Sequence, residues 1–263
     1  MIKPAAPSFV RRALLGACIA ASLGAGLSGA GQAAAASWSW GGEQIQGSGR
    51  IVKQDRQVSG FSGLSLGTPG RVELRIGNSE SVTVEADDNV LPLLETVVEG
   101  GVLKIRPARR NLALKSASIR VVVQARSIER LSLGGSGSIH ADPLRARGLD
   151  IDVGGSGSIR LKGVEAGTLS VSLAGSGDVE AAGGNVDKLS VSIKGSGDVD
   201  LGRVQAGGAS VSVAGSGDAV VWPRNRLGVS IAGSGDVKYY GDPQVSKSVA
   251  GSGEVKRVGA SPR

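Results

Sequence analysis

The chain has 263 residues, a formal net charge of +7, one cysteine and one histidine. This mild and scattered positive charge does not indicate nucleic-acid binding. Cys18 lies in a segment that we expect to be removed, so the rest of the chain offers neither a disulfide nor a thiolate metal site. We therefore expect stability to come from burial and backbone hydrogen bonds, with no cofactor and no metal.

Residues 1–36 have the features of a signal peptide. Lys3 and the pair Arg11-Arg12 precede an uncharged stretch of Ala, Leu and Gly that ends in four alanines. Removal of these three cations lowers the net charge from +7 to +4. A general secretion signal fits best. The arginine pair loosely matches a twin-arginine signal. Residues 15–18 loosely match a lipoprotein box, but this box follows the arginines too closely to leave room for a full apolar core.

The uncharged stretch is disfavoured as a membrane anchor. A spanning helix needs about 20 strongly apolar residues, and this stretch is rich in Ala and Gly instead. We expect an exported protein of the periplasm or the cell surface, without an integral membrane span in the processed chain.

The next two segments precede the most regular part of the chain. Residues 37–49 are rich in glycine and predict a flexible spacer. Residues 50–130 predict an N-terminal β segment, which either caps a solenoid or continues it as less regular coils. Its candidate strands lie at 71–76, 82–85, 102–105 and 119–123. The acidic run Asp87-Asp88-Asn89, before several apolar residues, predicts a helix start.

Residues 131–258 contain a tandem repeat. The tripeptide Gly-Ser-Gly begins at positions 135, 155, 175, 195, 215, 233 and 251, so the spacing is 20 residues and then 18. Alternating apolar and polar residues precede the tripeptides, as in Leu189-Ser190-Val191-Ser192-Ile193. Alternation predicts a strand with one buried face, and glycine permits the sharp turn that follows. The last residues, 259–263, form a tail.

The repeat predicts an all-β fold, a parallel β-helix or solenoid with three short sides in each coil. Stacked coils would bury aliphatic side chains in continuous columns. The predicted columns are Leu149, Leu169, Leu189 and Ala209; Ile151, Val171, Val191 and Val211; and Val153, Leu173, Ile193 and Val213. An antiparallel β sandwich or meander, with the tripeptides as hairpin loops, is the alternative.

Several segments together carry a family resemblance. The stretch 61–64 (Phe-Ser-Gly-Leu), the run 85–89, the strand 101–105 and the Gly-Ser-Gly-Asp repeats resemble the bacterial "putative auto-transporter adhesin, head GIN domain" family. The resemblance covers roughly residues 58–245. It implies a right-handed β-helix and an extracytoplasmic location, and it supplies no catalytic residues. The chain lacks the large passenger or barrel region of a complete autotransporter.

The titratable residues do not predict an enzyme. His140, the one histidine, follows Ile139 at an outer strand position and no nucleophile motif accompanies it. A polysaccharide-active β-helix enzyme is the rival class, but the tight turns leave little room for a cleft. The acids after the turns could form a calcium ladder or a solvated ladder; these acids are Asp178, Asp198, Asp218, Asp236 and Glu254. We expect the solvated form, because neighbouring exposed charges repel by only about 1 kcal/mol in water.

The remaining candidate surface is the outward row of serines. These residues are Ser170, Ser172, Ser190, Ser192, Ser210 and Ser212. A rigid array of hydroxyls could bind a glycan, an envelope protein or a host surface protein. The two tyrosines at 239–240 could stack on a sugar, although covering the last coil is the simpler role. The sequence thus predicts a non-catalytic exported envelope protein, an adhesin head or surface-binding module. A periplasmic structural or regulatory partner-binding protein is the alternative.

Overall fold

The computed structural model describes residues 43–109, 112–115 and 118–262. The predicted signal peptide and the first part of the predicted spacer lie outside these residues. The described chain is built from β-strands and short turns.

The strands before the repeat are β1 Glu43–Gln46, β2 Ile51–Arg56, β3 Gly63–Leu66, β4 Arg71–Ile76, β5 Ser81–Asp87, β6 Leu94–Glu99, β7 Val102–Pro107, β8 Leu112–Lys115 and β9 Arg120–Ala125. Those of the repeat are β10 Arg130–Gly135, β11 Ser138–Ala141, β12 Leu144–Gly155, β13 Ser158–Leu161, β14 Val164–Gly175, β15 Asp178–Ala181, β16 Gly184–Gly195, β17 Asp198–Gly215, β18 Ala219–Gly233, β19 Val237–Tyr240, β20 Gln244–Gly251 and β21 Val255–Gly259.

The repeats stack as a parallel β-solenoid with three sides. On the first side, strands β10, β12, β14, β16, β17, β18 and β20 pair in parallel and in register. The second side holds β11, β13, β15, the start of β17, the start of β18, β19 and β21. The third side is the beginning of the longer strands, at 144–146, 164–166, 184–186 and 204–206. These pairings confirm the parallel solenoid and exclude the antiparallel sandwich.

The predicted columns form the core of the solenoid. Leu169 pairs with Leu189, and Val171 with Val191, so each aliphatic side chain lies over its equivalent in the next coil. Every one of the twelve predicted column residues is at most 8 % exposed. Burial of a single aliphatic side chain of this size contributes about 1.5–3 kcal/mol, so the columns account for much of the folding free energy.

Each Gly-Ser-Gly turn requires both of its glycines. The first glycine has a positive φ, for example +131° at Gly195, which other residues rarely adopt. A Cβ on that residue would also lie 2.3 Å from the carbonyl oxygen of Gly175 in the preceding coil. At the third position, a Cβ on Gly197 would lie 2.1 Å from the carbonyl oxygen of Gly177. The coils therefore approach each other too closely at this corner for any side chain.

The N-terminal segment both continues the solenoid and closes its end. Strands β3 and β4 form a coil beneath the first repeat, and β7 and β9 stack in parallel on the far side of that coil. Antiparallel strands then cover the edges: β6 pairs with β7 on the first side, and β5 and β2 follow β9 on the second. Antiparallel strands can cover an open sheet edge that would otherwise pair with another chain.

The acidic run at 87–89 does not begin a helix, so this prediction was wrong. Only one turn of 3-10 helix follows, at Leu91–Leu93, and no side chain caps it. Asp87 is 3 % exposed and accepts a hydrogen bond of 2.7 Å from the backbone N–H of Gly49. Asn89 donates a bond of 2.8 Å to the carbonyl oxygen of Gln46. The run therefore holds the chain segment that precedes β2.

The predicted flexible spacer at 37–49 is also partly wrong. Four of its residues form β1, which pairs in parallel with β8. Asp88 further fixes the end of this segment, because its carboxylate accepts hydrogen bonds from the hydroxyl of Ser48 and from Nε of Arg50. Those two bonds, in that order, lower the pKa of Asp88. Both oxygens of the Asp88 carboxylate therefore accept hydrogen bonds from other residues of the same chain.

The C-terminal end of the solenoid differs from the N-terminal end. In β20 and β21 the inward columns receive Lys247, which pairs with Val229, and Arg257, which pairs with Tyr239. Both cations are exposed, as are Val249 at 40 % and Val258 at 42 %. Inward-pointing charges on an edge strand disfavour pairing with another sheet. The last coil is therefore less apolar and more open than the coils that it follows.

Candidate functional site

The predicted serine residues lie together on the outer surface of the first side, which we call the serine face. Ser170, Ser190 and Ser210 form one column, and Ser172, Ser192 and Ser212 form the next; register pairing aligns both. The second column continues through Ser230 and Ser248. With a coil spacing of about 4.8 Å and about 6.6 Å between alternate residues of a strand, the hydroxyls form a regular lattice.

One flank of the serine face is formed mostly by small residues. The neighbouring column contains Gly154, Ala174, Ala214, Ala232 and Ala250, and Lys194 interrupts it between Ala174 and Ala214. On the other flank, Thr168, Lys188, Gly208 and Arg226 alternate in size. The face is thus a plane of hydroxyl and methyl groups, with Asp150 and Asp152 at the start of its two columns and a few cations at its margins. Such a plane suits a flat, polar partner better than a small molecule that needs enclosure.

The outer surface of the second side is charged. Its central column runs through Glu73, His140, Arg160, Glu180 and Asp200. Ion pairs link neighbouring coils, such as the 3.4 Å contact between Nε of Arg160 and a carboxylate oxygen of Glu180. Because these pairs are solvent-exposed, each contributes less than about 1 kcal/mol.

His140 lies at the outer strand position that the sequence predicted, between Glu73 and Arg160. Partial burial, and then the positive charges of Arg71 and Arg160, lower the pKa of His140. The imidazole is therefore mostly neutral at pH 7. The strand neighbours of this imidazole are the charged residues Glu73 and Arg160, so it has the character of a surface residue in an ion-paired column.

Glu73 is the most constrained acid of this surface. Partial burial alone would raise the pKa of Glu73, but hydrogen bonds from Arg120 and Arg75 outweigh it, so the pKa is lowered. The bond from Arg120 is 2.6 Å long and joins β9 to β4. Glu73 therefore ties two coils together and stays ionised.

The acidic ladder is partly structural, which corrects the expectation of a purely solvated ladder. In the early repeats the backbone N–H after the turn bonds to a carbonyl of the preceding coil, as Asp178 does to Gly157. After the later turns that N–H bonds instead to an acid of the preceding coil. Asp218 donates its N–H to the carboxylate of Asp198 at 3.0 Å, and Asp236 donates to that of Asp218 at 2.8 Å. In these later coils, the carboxylate accepts the hydrogen bond that a backbone carbonyl oxygen accepts in the early repeats.

No group of three or more His, Cys, Asp or Glu side chains positioned to hold a metal ion is found within residues 43–109, 112–115 and 118–262. In the same residues, no helix is long and apolar enough to cross a membrane.

The aromatic residues near the end of the repeat have separate roles. Tyr239 lies in an inward column over Val221 and packs against the core, but β21 stacks on its strand, so Tyr239 does not cover the last coil as predicted. Tyr240 points outward and borders a groove on the second side, whose floor includes Gly202 and Val220. Sequence reasoning missed this groove. The available signal was the change of repeat spacing from 20 to 18 residues, which alters the corner after Gly202.

The stacked, three-sided coils with short turns place the chain in the class of parallel β-solenoid proteins. Within that class, the chain belongs to the family described as "Putative auto-transporter adhesin, head GIN domain", whose model matches residues 60–243. This confirms the resemblance seen in the sequence. Comparison with curated protein sequences found no match.

Solved structures show the same fold. A crystal structure from Bacteroides fragilis, described as a putative adhesin, has a TM-score of 0.76 and 23 % identity over 81 % of this chain and 100 % of its own. One from Parabacteroides merdae, also described as a putative adhesin, has a TM-score of 0.66 and 18 % identity over 82 % and 99 %. A structure from Parabacteroides distasonis, described as a putative lipid binding protein, has a TM-score of 0.69 and 28 % identity over 82 % and 100 %.

Proposed function

We propose that this chain is an exported, non-catalytic surface-binding protein of the adhesin type, and that the serine face is its contact surface. The observation that carries the proposal is the flat lattice of Ser170, Ser172, Ser190, Ser192, Ser210 and Ser212 on rigidly stacked strands. Membership of an adhesin head family agrees with this function.

The serine face offers weak contacts that gain from repetition. A single hydroxyl hydrogen bond contributes only about 0.5–1.5 kcal/mol. A partner with its own regular array of polar groups can form many such bonds at once, and a rigid face loses little conformational entropy on binding. A glycan chain or a repetitive surface protein fits this description.

The experiment is binding of the purified chain to glycan and matrix-protein arrays, with and without calcium. We expect saturable binding that Ser190→Arg weakens, because Ser190 lies between Ser170 and Ser210 and a long cation there disrupts the plane. Asn185→Arg is the matched control, since Asn185 is exposed on the third side. Absence of binding by folded protein would favour the structural or partner-regulated envelope role.

Lipid binding is a second candidate function, favoured by the last coil and by the description of the Parabacteroides distasonis structure. The interior columns are filled with side chains, so a lipid would contact the surface. Exposed Val249 and Val258 lie near Lys247 and Lys256, a combination that suits an anionic membrane surface. Cosedimentation with anionic vesicles, reduced by Lys247→Glu and unchanged by Ser190→Arg, would support it.

A further inference from the structure

The groove beside Tyr240 lies on the second side and has a volume of about 880 Å³. It follows the solenoid axis from Glu180 to the last coil. The segment 258–262 forms one wall, and Ala260 and Ser261 lie at its rim. The groove faces away from the serine face, so an occupant here does not depend on the function proposed above.

Gly202 gives the groove its depth. This residue is buried, and a Cβ added to it would lie 2.8 Å from Cγ1 of Val220 and 3.2 Å from Cε2 of Tyr240. Any larger residue at 202 would therefore fill the space between the tyrosine ring and the floor. Because Gly202 has no positive φ, its backbone does not require glycine, and the open space is the feature that the glycine provides.

Three residues in register form the floor beside the ring. Asp200 pairs with Val220, and Val220 pairs with Lys238, so an anion and a cation lie on either side of an apolar residue. With a strand spacing of about 4.8 Å, their backbones are roughly 10 Å apart. One oxygen of Asp200 accepts a 3.0 Å bond from the N–H of Gly202, which fixes the carboxylate at the groove.

We propose that this groove binds a saccharide that carries N-acetylamino groups. The N–H of an acetamido group can donate to Asp200, its carbonyl oxygen can accept from Lys238, and its methyl group can lie on Val220. The ring of Tyr240 offers an apolar surface for the C–H face of the adjoining pyranose. Each of these four side chains can thus contact a complementary part of the same ligand.

The test is isothermal calorimetry of the purified chain with the trisaccharide of N-acetylglucosamine, and with the trisaccharide of glucose as the probe that lacks the acetamido groups. The first is expected to bind at least about tenfold more tightly, because a single hydroxyl of the second cannot reach both Asp200 and Lys238 and has no methyl group to contact Val220. Gly202→Val and Tyr240→Ala are each expected to weaken binding by about tenfold or more.

Gly228→Val is the matched control, because a Cβ at Gly228 meets nothing within 4 Å and the residue lies on the serine face. This variant is expected to bind the trisaccharide as the unaltered chain does. Equal affinity for the two sugars, unaltered binding by Gly202→Val, or no binding by a chain whose circular dichroism is unchanged would overturn the proposal. Loss of serine-face binding in Ser190→Arg, with trisaccharide binding retained, separates this site from the proposed function.

Discussion

Replacement of Gly195 by alanine tests the close stacking of the coils at the Gly-Ser-Gly corner. A Cβ at this position would lie 2.3 Å from the carbonyl oxygen of Gly175, which accepts a 2.9 Å hydrogen bond from the N–H of Ser196. Alanine at a φ of +131° costs about 1–3 kcal/mol. Moving the coils apart would break the hydrogen bond at a further cost of about 1–3 kcal/mol. We therefore expect Gly195→Ala to lower the free energy of unfolding by about 2–6 kcal/mol.

Gly228→Ala is the control for this experiment. Gly228 lies within a strand, has no positive φ, and a Cβ there meets nothing within 4 Å. Alanine should therefore raise the free energy of unfolding by about 0.5–1 kcal/mol, because glycine loses more backbone entropy on folding. Urea unfolding followed by circular dichroism measures both variants. If Gly195→Ala is as stable as Gly228→Ala, the coils do not approach at this corner as described.

Three further predictions concern the core, the acidic ladder and pH. Val191→Asp should lower the free energy of unfolding by several kcal/mol, because it places an unpaired charge in a buried column. Ser192→Asp should change it by less than about 1 kcal/mol. Equal effects of the two variants in urea unfolding would contradict the assignment of Val191 as inward and Ser192 as outward. Asp218→Ala should lower the free energy of unfolding by about 1–2 kcal/mol in the same assay, because the N–H of Asp236 loses its acceptor. Asp178→Ala should lower it little, because the N–H of Asp198 donates to the carbonyl oxygen of Gly177 instead. Equal losses for the two variants would contradict the structural role of the ladder. The melting temperature should fall as pH decreases below about 6.5, since the lowered pKa of His140 makes the folded chain bind protons less readily than the unfolded chain; a His140→Gln variant that retains this slope would refute the cause.

The repeat made most of the fold predictable from the sequence. The alternation around Val191, repeated every 20 residues, identified the buried columns and their stacking order because each residue type lies over itself. The N-terminal segment has no such period, so the sequence located four of its strands, near 71–76, 82–85, 102–105 and 119–123, but not the other strands or the antiparallel pairings. Asp87 misled the prediction, because an acid before an apolar run suits a helix start and equally suits acceptance of a distant N–H such as that of Gly49.

The candidate sites were predictable to different extents. The serine face follows directly from strand alternation, since the residues between buried positions must point outward. The structural part of the acidic ladder depends on which N–H groups lose their backbone acceptors, and the sequence around Asp218 is nearly the same as that around Asp178. The groove depends on contact between Gly202 and Tyr240, which lie 38 positions apart in the sequence and in different coils.

The most direct test of the account is an arginine scan of the three sides, measured on the surface or glycan that binds most strongly in the array experiment. Ser190→Arg, Asp178→Arg and Asn185→Arg each place one exposed cation on the first, second or third side. We predict that Ser190→Arg alone weakens binding and that all three variants remain folded. Unaltered binding by Ser190→Arg, with loss in either of the other two, would contradict the serine face as the contact surface.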